Sequence, residues 1–135
     1  MKILAIDYGT KRVGLAISDE AGMFASSIPF IENKGDEATA KLITEKVSKE
    51  EIGLLLIGMP RNMDGSYGES AEKVKKFITF LSSNTSVQIK TVDERLSTVE
   101  ASRKLRESGV KAKNQRDKID SMSAQILLQT YLDFQ

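Results

Sequence analysis

The chain has 135 residues and a mass of 14.9 kDa, a length that suits one domain with a real hydrophobic core. Twenty Lys and Arg against nineteen Asp and Glu leave a net charge of +1, which excludes a polycation and an acidic tail protein; 40% hydrophobic residues exclude a disordered chain. There is no Cys and no His, which excludes disulfides, thiol catalysis, His-based triads and Cys- or His-ligated metals. Acid–base or metal chemistry therefore falls to Asp, Glu, Lys, Ser, Thr or Tyr, and carboxylate ligands select hard cations such as Mg²⁺ or Mn²⁺. No signal-peptide pattern is visible. The apolar run Leu54–Ile57 is far shorter than the roughly 20 residues of a membrane span, so a cytoplasmic protein without membrane attachment is expected.

Lys2–Asp7 reads as a buried first strand, Tyr8–Lys11 as a turn and Arg12–Ser18 as a second strand. Asp19–Gly22 is a further turn, and Phe24–Ile31 a third strand that Pro29 assigns to a sheet edge. Short turns between these strands predict an antiparallel meander. Ala38, Leu42, Ile43 and Val47 then follow helical spacing within Asp36–Lys49. Leu54–Gly58 is a continuous apolar run, as in a strand covered on both faces. Asn62–Gly65 is loop chemistry, Glu69–Ser82 a helix and Val87–Val92 a strand. Two helices follow, Thr98–Glu107 and about Arg116–Tyr131, separated by Gly109 and a polar basic stretch to Gln115. The order β-β-β-α-β-α-β-α-α implies an α/β fold with a mixed sheet flanked by helices.

Four acidic positions stand out. Asp7 ends an apolar strand before a glycine turn, where α/β proteins place functional groups; an Asp capping the turn fits equally. Glu94 lies where the last strand gives way to a helix. Strand alternation sets it on the opposite face from Asp93, while Ser97 suits a helix N-cap. Asp117 and Asp120 stand three apart near the start of the final helix and share a face. The helix dipole alone accounts for Asp117. Asp120 sits among the small residues Ser121, Ser123 and Ala124, which let a helix approach a sheet closely.

The loop Gly9–Gly14 has the two-glycine spacing of a Walker A loop but lacks the Lys-Ser/Thr and runs on as a strand, so it reads as a hairpin turn. Lys11 and Arg12 remain able to reach a phosphate as point charges. From Arg103 to Lys118, seven positive side chains stand against two negative, a local net charge of +5 that includes Lys111, Lys113 and Arg116. Such a cluster beside carboxylates suits a nuclease, although a charge run taken alone is more often a solvated helix face with a mobile loop.

Met1–Asp19, Gly58–Ser66, Val92–Thr98 and Lys118–Leu128 together resemble, in order and over nearly the whole chain, the four sequence blocks of the YqgF (RuvX) family. The resemblance implies a single ribonuclease H-like nuclease domain over residues 1–135. Its five-stranded mixed sheet would have three antiparallel strands and then parallel ones. The family carries the label of Holliday junction resolvase and is linked to 5′-end processing of the small-subunit (16S) rRNA precursor. Its acidic positions fall on Asp7, Glu94 and Asp120, and Asp117 resembles one of the paired aspartates on the last helix of the related RuvC resolvases. Those relatives carry their second acid at the end of the fourth strand. Here that strand ends in Gly58-Met59-Pro60, and Glu94 stands one strand further on.

The expected activity is metal-dependent endonuclease cleavage, with Asp7, Glu94 and Asp120 holding Mg²⁺ or Mn²⁺. Lys11, Arg12, Arg61, Arg95, Lys111, Lys113 and Arg116 would position the backbone, and Asn62 and Thr98 would contact phosphate or sugar. Expected partners are structured RNA or branched DNA and a ribosomal precursor particle, with the chain a monomer or weak homodimer. Two other readings compete: a nucleic-acid-binding factor without catalysis, and an ATP-binding module. The module is suggested by the likeness of Asp7-Tyr-Gly-Thr10 to the first phosphate motif of the actin and sugar-kinase superfamily. No second phosphate loop accompanies it.

Overall fold

A computed structural model describes residues 1–60, 64, 66–93 and 112–134, with the backbone course alone for 112–121. The strands are β1 (Lys2–Tyr8), β2 (Arg12–Ser18), β3 (Ala25–Glu32), β4 (Ile52–Met59) and β5 (Gln88–Asp93). The helices are α1 (Asp36–Lys49), α2 (Glu69–Asn84) and α3 (Ala112–Asp133). The strands form one sheet in the order β3-β2-β1-β4-β5. β1 pairs antiparallel with β2 and parallel with β4; β2–β3 is antiparallel and β4–β5 parallel. The expected meander followed by parallel strands is therefore present, and Pro29 lies on an edge strand, in the stretch between Ile28 and Ile31 where the pairing with β2 shifts register.

Period-two alternation sends neighbouring residues of each strand to two different cores. Leu4, Ile6, Val13, Leu15, Leu55 and Ile57 face α1 and α2, where they meet Ile43, Val47, Val74, Phe77 and Leu81. Ile3, Ala5, Ala16, Leu54 and Leu56 face α3, where they meet Ala124, Leu127 and Leu128. The α3 side is built with small residues: Ala5, Ala16 and Ala124 are fully buried and Ser123 nearly so. Small side chains at these positions let the helix lie close to the sheet.

Element boundaries shift where local chemistry overrides pattern. Phe24 falls outside β3 and is exposed, because the Asp19 carboxylate accepts hydrogen bonds from the Met23 and Phe24 amides at 2.7 and 3.4 Å and holds them in the turn. Ser18 and Ala25 form the last β2–β3 pair. The final helix begins at Ala112, not near Arg116, so Lys113 is helical. Ala112, Lys113, Gln115 and Arg116 are strong helix formers and carry the helix back towards Gly109. The expected helix Thr98–Glu107 lies outside the described residues. Among the described residues, no helix is long and apolar enough to cross a membrane.

Candidate active site

Asp7 stands at the penultimate position of β1, the central strand of the sheet, and is half-buried. Counting from Ile3 and Ala5, alternation puts its side chain on the α3 face. Its partner on β2 is Gly14, and Ile57, which pairs with Ile6, is followed on β4 by Gly58. The strand positions on both sides of the carboxylate thus carry no side chain. Arg12 lies two residues from Gly14, on the same face as Asp7. Its guanidinium stacks over the Phe30 ring at 5.1 Å, which holds the charge at the end of the sheet. Lys11 is exposed in the turn.

The following residue, Tyr8, points the other way. Its ring stacks on Phe77 of α2, with centroids 4.6 Å apart, and its hydroxyl donates to the Asp36 carboxylate of α1 at 2.5 Å. Burial, and then the bond to Asp36, raise the Tyr8 pKa above its ordinary value. Asn33, just after β3, clamps the turn. Its amide N–H donates to the Lys11 carbonyl at 2.9 Å and its side-chain nitrogen to the Gly9 carbonyl at 2.8 Å. The Asn33 side-chain oxygen accepts from the Gly35 amide and the Thr39 hydroxyl, which locks the clamp to the start of α1. Gly9 is needed here because a Cβ would lie 2.4 Å from the Arg12 carbonyl oxygen. The Walker-like loop is a tight hairpin turn, as its sequence predicts.

Helix α3 is fixed at its C-terminal half. Gln129 accepts from the Ala25 amide at 2.8 Å and donates to the Met23 carbonyl at 3.0 Å, while Gln125 donates to the Ala25 carbonyl at 3.2 Å. Ala25 pairs with Ser18, whose hydroxyl accepts from the Ile3 amide at 2.8 Å, so this anchor marks the end of the sheet where β1 begins. Position 120 precedes Ser123, Ala124 and Leu127 by three, four and seven residues and so belongs to the helical stripe that covers the sheet. The helix from Leu127 back to position 120 covers about 10 Å. Ile3 to Asp7 spans about 13 Å of strand.

On β5, Lys90 donates to the Tyr131 hydroxyl at 3.2 Å and Val92 packs with the α3-side core, so Asp93 faces away from Asp7. Glu94, Arg95, Thr98, Arg61, Asn62 and Lys111 lie outside the described residues. Asp117, Asp120, Lys113 and Arg116 are on α3, without described side chains. Among the described residues, no three metal-ligating side chains gather. The donor chemistry nevertheless fits a hard divalent cation: a half-buried carboxylate at a strand end, with further carboxylates on the helix that covers its face. Sequence reasoning does not mark Tyr8, Asn33 or Asp36. Asn33-Lys-Gly35 has the composition of an ordinary turn, and nothing in it signals the carbonyls it holds.

The model of the RuvX family, described as Holliday junction resolvase, matches residues 1–134. A protein of Halothermothrix orenii is 44% identical over 135 residues, covering 100% of this chain and 96% of its own length. One of Clostridium acetobutylicum is 38% identical, covering 98% of each. Both carry the name "Putative pre-16S rRNA nuclease". Among solved structures, T. thermophilus RuvC in complex with Holliday junction substrate superposes with a TM-score of 0.62 at 13% identity, covering 99% of this chain and 96% of that one. The Fowlpox virus resolvase, in complex with its Holliday junction DNA, gives 0.57 at 14%, covering 99% and 98%. At such identities the likeness speaks for the fold, which is the ribonuclease H-like fold of these resolvases. With its sheet order, its carboxylate at the end of the central strand and a family match over nearly its whole length, this chain belongs to the RuvX family.

Proposed function

We propose that this chain is a divalent-metal-dependent endonuclease that hydrolyses phosphodiester bonds, acting at the 5′ end of the 16S rRNA precursor. The observation that carries the reading is Asp7, half-buried at the carboxyl end of the central strand on the face that α3 covers. The names of the relatives at 44% and 38% identity support RNA as the substrate. Asp7, Glu94 and Asp120, with Asp117 one turn away, are the carboxylates that would hold Mg²⁺ or Mn²⁺. The bound metal supplies Lewis acidity towards the phosphodiester and a water of lowered pKa.

The chain's own part is to bind and orient. Arg12, braced on Phe30, and exposed Lys11 stand at the hairpin beside Asp7, where they meet backbone phosphates. Arg61, Asn62, Arg95, Thr98, Lys111, Lys113 and Arg116 extend that contact. The whole chain acts as one nuclease domain in the cytoplasm, on a ribosomal precursor particle, as a monomer or weak homodimer.

A cleavage assay with Mg²⁺ or Mn²⁺ tests the reading on two labelled substrates: a single-stranded RNA with the sequence of a ribosomal precursor end and a four-way DNA junction. Metal-dependent cutting of the RNA is expected, reduced on the order of a thousandfold in Asp7→Asn, since the metal site is worth several kcal/mol in the transition state. Preferred cutting of the junction would make the protein a resolvase. Binding without cutting, by wild type and variant alike, would make it a non-catalytic factor.

A further inference from the structure

Asp7 uses one side of the end of β1, and the other side opens into a groove of about 220 Å³. The groove is lined by Tyr8, Gly9 and Thr10 of the hairpin, Pro60 after β4, and Ser70 and Lys73 of α2. We propose that this groove is a backbone-phosphate subsite: Lys73 meets the anionic oxygens of a neighbouring phosphate, and the Ser70 and Thr10 hydroxyls donate to phosphate or sugar oxygens. The inference deepens the nuclease reading and rests on its nucleic-acid substrate.

Charge is the first argument. Among the described residues, no carboxylate lines the groove, and Lys73 is exposed and makes no ion pair. Its neighbour Lys75 differs, being tied to Glu72 at 3.6 Å and placed over the Tyr67 ring. Glu72 is therefore already answered, and Glu69, at the start of the same helix, is not among the lining residues. A lysine in this state, beside two hydroxyls from different elements, suits an anion with ester oxygens.

Preorganisation is the second argument. The hairpin wall is fixed by Asn33 through the carbonyls of Gly9 and Lys11, and Tyr8 is pinned between Phe77 and Asp36. A ligand entering such a groove orders little of the protein, so a modest set of contacts yields net binding. Continuity is the third. Tyr8 and Gly9 directly follow Asp7, and Lys11 and Arg12 close the same hairpin. A strand held with its reacting phosphate at Asp7 crosses the carboxyl edge of β1 and brings an adjacent phosphate over the groove. Such a contact sets register on the backbone and carries no base preference.

The test is salt-dependent binding by fluorescence anisotropy on the full chain, with the same labelled RNA and four-way junction. Wild type, Lys73→Ala, Lys73→Arg and the control Lys49→Ala, at the far end of α1, are compared between about 50 and 200 mM salt. Lys73→Ala is expected to weaken binding several-fold at the lower salt and to flatten the log–log salt slope by about 0.7 on single-stranded RNA. Lys73→Arg should restore that slope, and Lys49→Ala should overlay the wild type. A Lys73→Ala slope equal to wild type overturns the subsite, as does an equal slope loss in Lys49→Ala. Binding without cleavage by wild type would sink the nuclease reading while leaving the subsite to be judged on these slopes; no binding to either probe overturns both.

Discussion

Tyr8 and Asp36, 28 positions apart in sequence, are joined by a hydrogen bond of 2.5 Å from the phenol to the carboxylate. Because Tyr8 follows Asp7, this bond ties the end of the central strand to the first turn of α1, and the stack on Phe77 ties it to α2. Tyr8→Phe keeps the stack and removes the hydroxyl, with its bond to Asp36 and its contact with the Asn33 side chain. Hydrogen bonds to charged acceptors are worth about 1.5–3 kcal/mol, and partial exposure places this one near the lower end. The expected loss is about 1–2 kcal/mol, read from urea midpoints at pH 7; coincident curves for wild type and variant would show that the bond contributes nothing.

The same phenol sets a pH dependence. Burial, and then its bond to Asp36, hold the folded-state pKa of Tyr8 above the ordinary value of 10.0. The folded protein therefore keeps this proton more tightly than the unfolded chain. The stabilisation is fully present below the ordinary value of 10.0 and is lost as pH rises from there through the folded-state pKa. Wild type should lose stability over this alkaline range more steeply than Tyr8→Phe. Parallel losses in the two proteins would mean that other groups carry the whole effect.

Gly9→Ala tests the tightness of the hairpin. The added Cβ would sit 2.4 Å from the Arg12 carbonyl oxygen, a backbone atom that cannot swing aside. Overpacking of this kind costs about 1–3 kcal/mol. Nucleic-acid binding should weaken as well, because the strain falls on the residues that present Lys11 and Arg12. A variant as stable as wild type would show that the turn yields freely.

Asn33 divides its work between two sets of partners, and two substitutions separate them. Asn33→Ala removes the donor to Gly9 and also strips a partner from the Thr39 hydroxyl, on a fully buried residue. The expected cost is about 1–3 kcal/mol. Asn33→Asp keeps the acceptor for Gly35 and Thr39 and loses the side-chain donor that serves Gly9 and the Tyr8 hydroxyl. Hydrogen exchange in the Gly9–Arg12 turn should quicken in both variants, with the larger stability loss in Asn33→Ala. Unchanged exchange in both would show that the clamp is idle.

Much of this architecture is legible in the sequence, for reasons tied to particular residues. Arg12–Ser18 matches its strand end to end, because an apolar run lies between two turns. Pro29 fixes an edge, and the small residues Ser123 and Ala124 do mark a helix lying close on the sheet. The position of Asp7 follows from a carboxylate closing an apolar strand. Phe24 misleads because an aromatic side chain looks like strand, whereas the Asp19 carboxylate holds its amide in the turn. Asn33 is illegible because most of its partners are main-chain groups, the Gly9 and Lys11 carbonyls and the Gly35 amide, which leave no trace in side-chain pattern. Lys73 is illegible because an exposed lysine on an amphipathic helix looks like any other until its neighbours across the groove are known.

The placement of β1 also bears on how the chain reaches this structure. Leu4 pairs with Ile17 on one side and with Leu55 on the other, so the two edges of the strand bond to segments 13 and 51 positions away. The nearer pairing closes a short loop and can form within microseconds. The farther one must wait until the chain has searched a much larger loop, the one that holds β2, β3 and α1. Nascent β1 is therefore a half-satisfied strand, with one row of amides and carbonyls open until β4 arrives. Substitutions in Leu55 or Ile57 should prolong that interval and expose the segment to aggregation in the unfinished protein, even where the finished protein tolerates them.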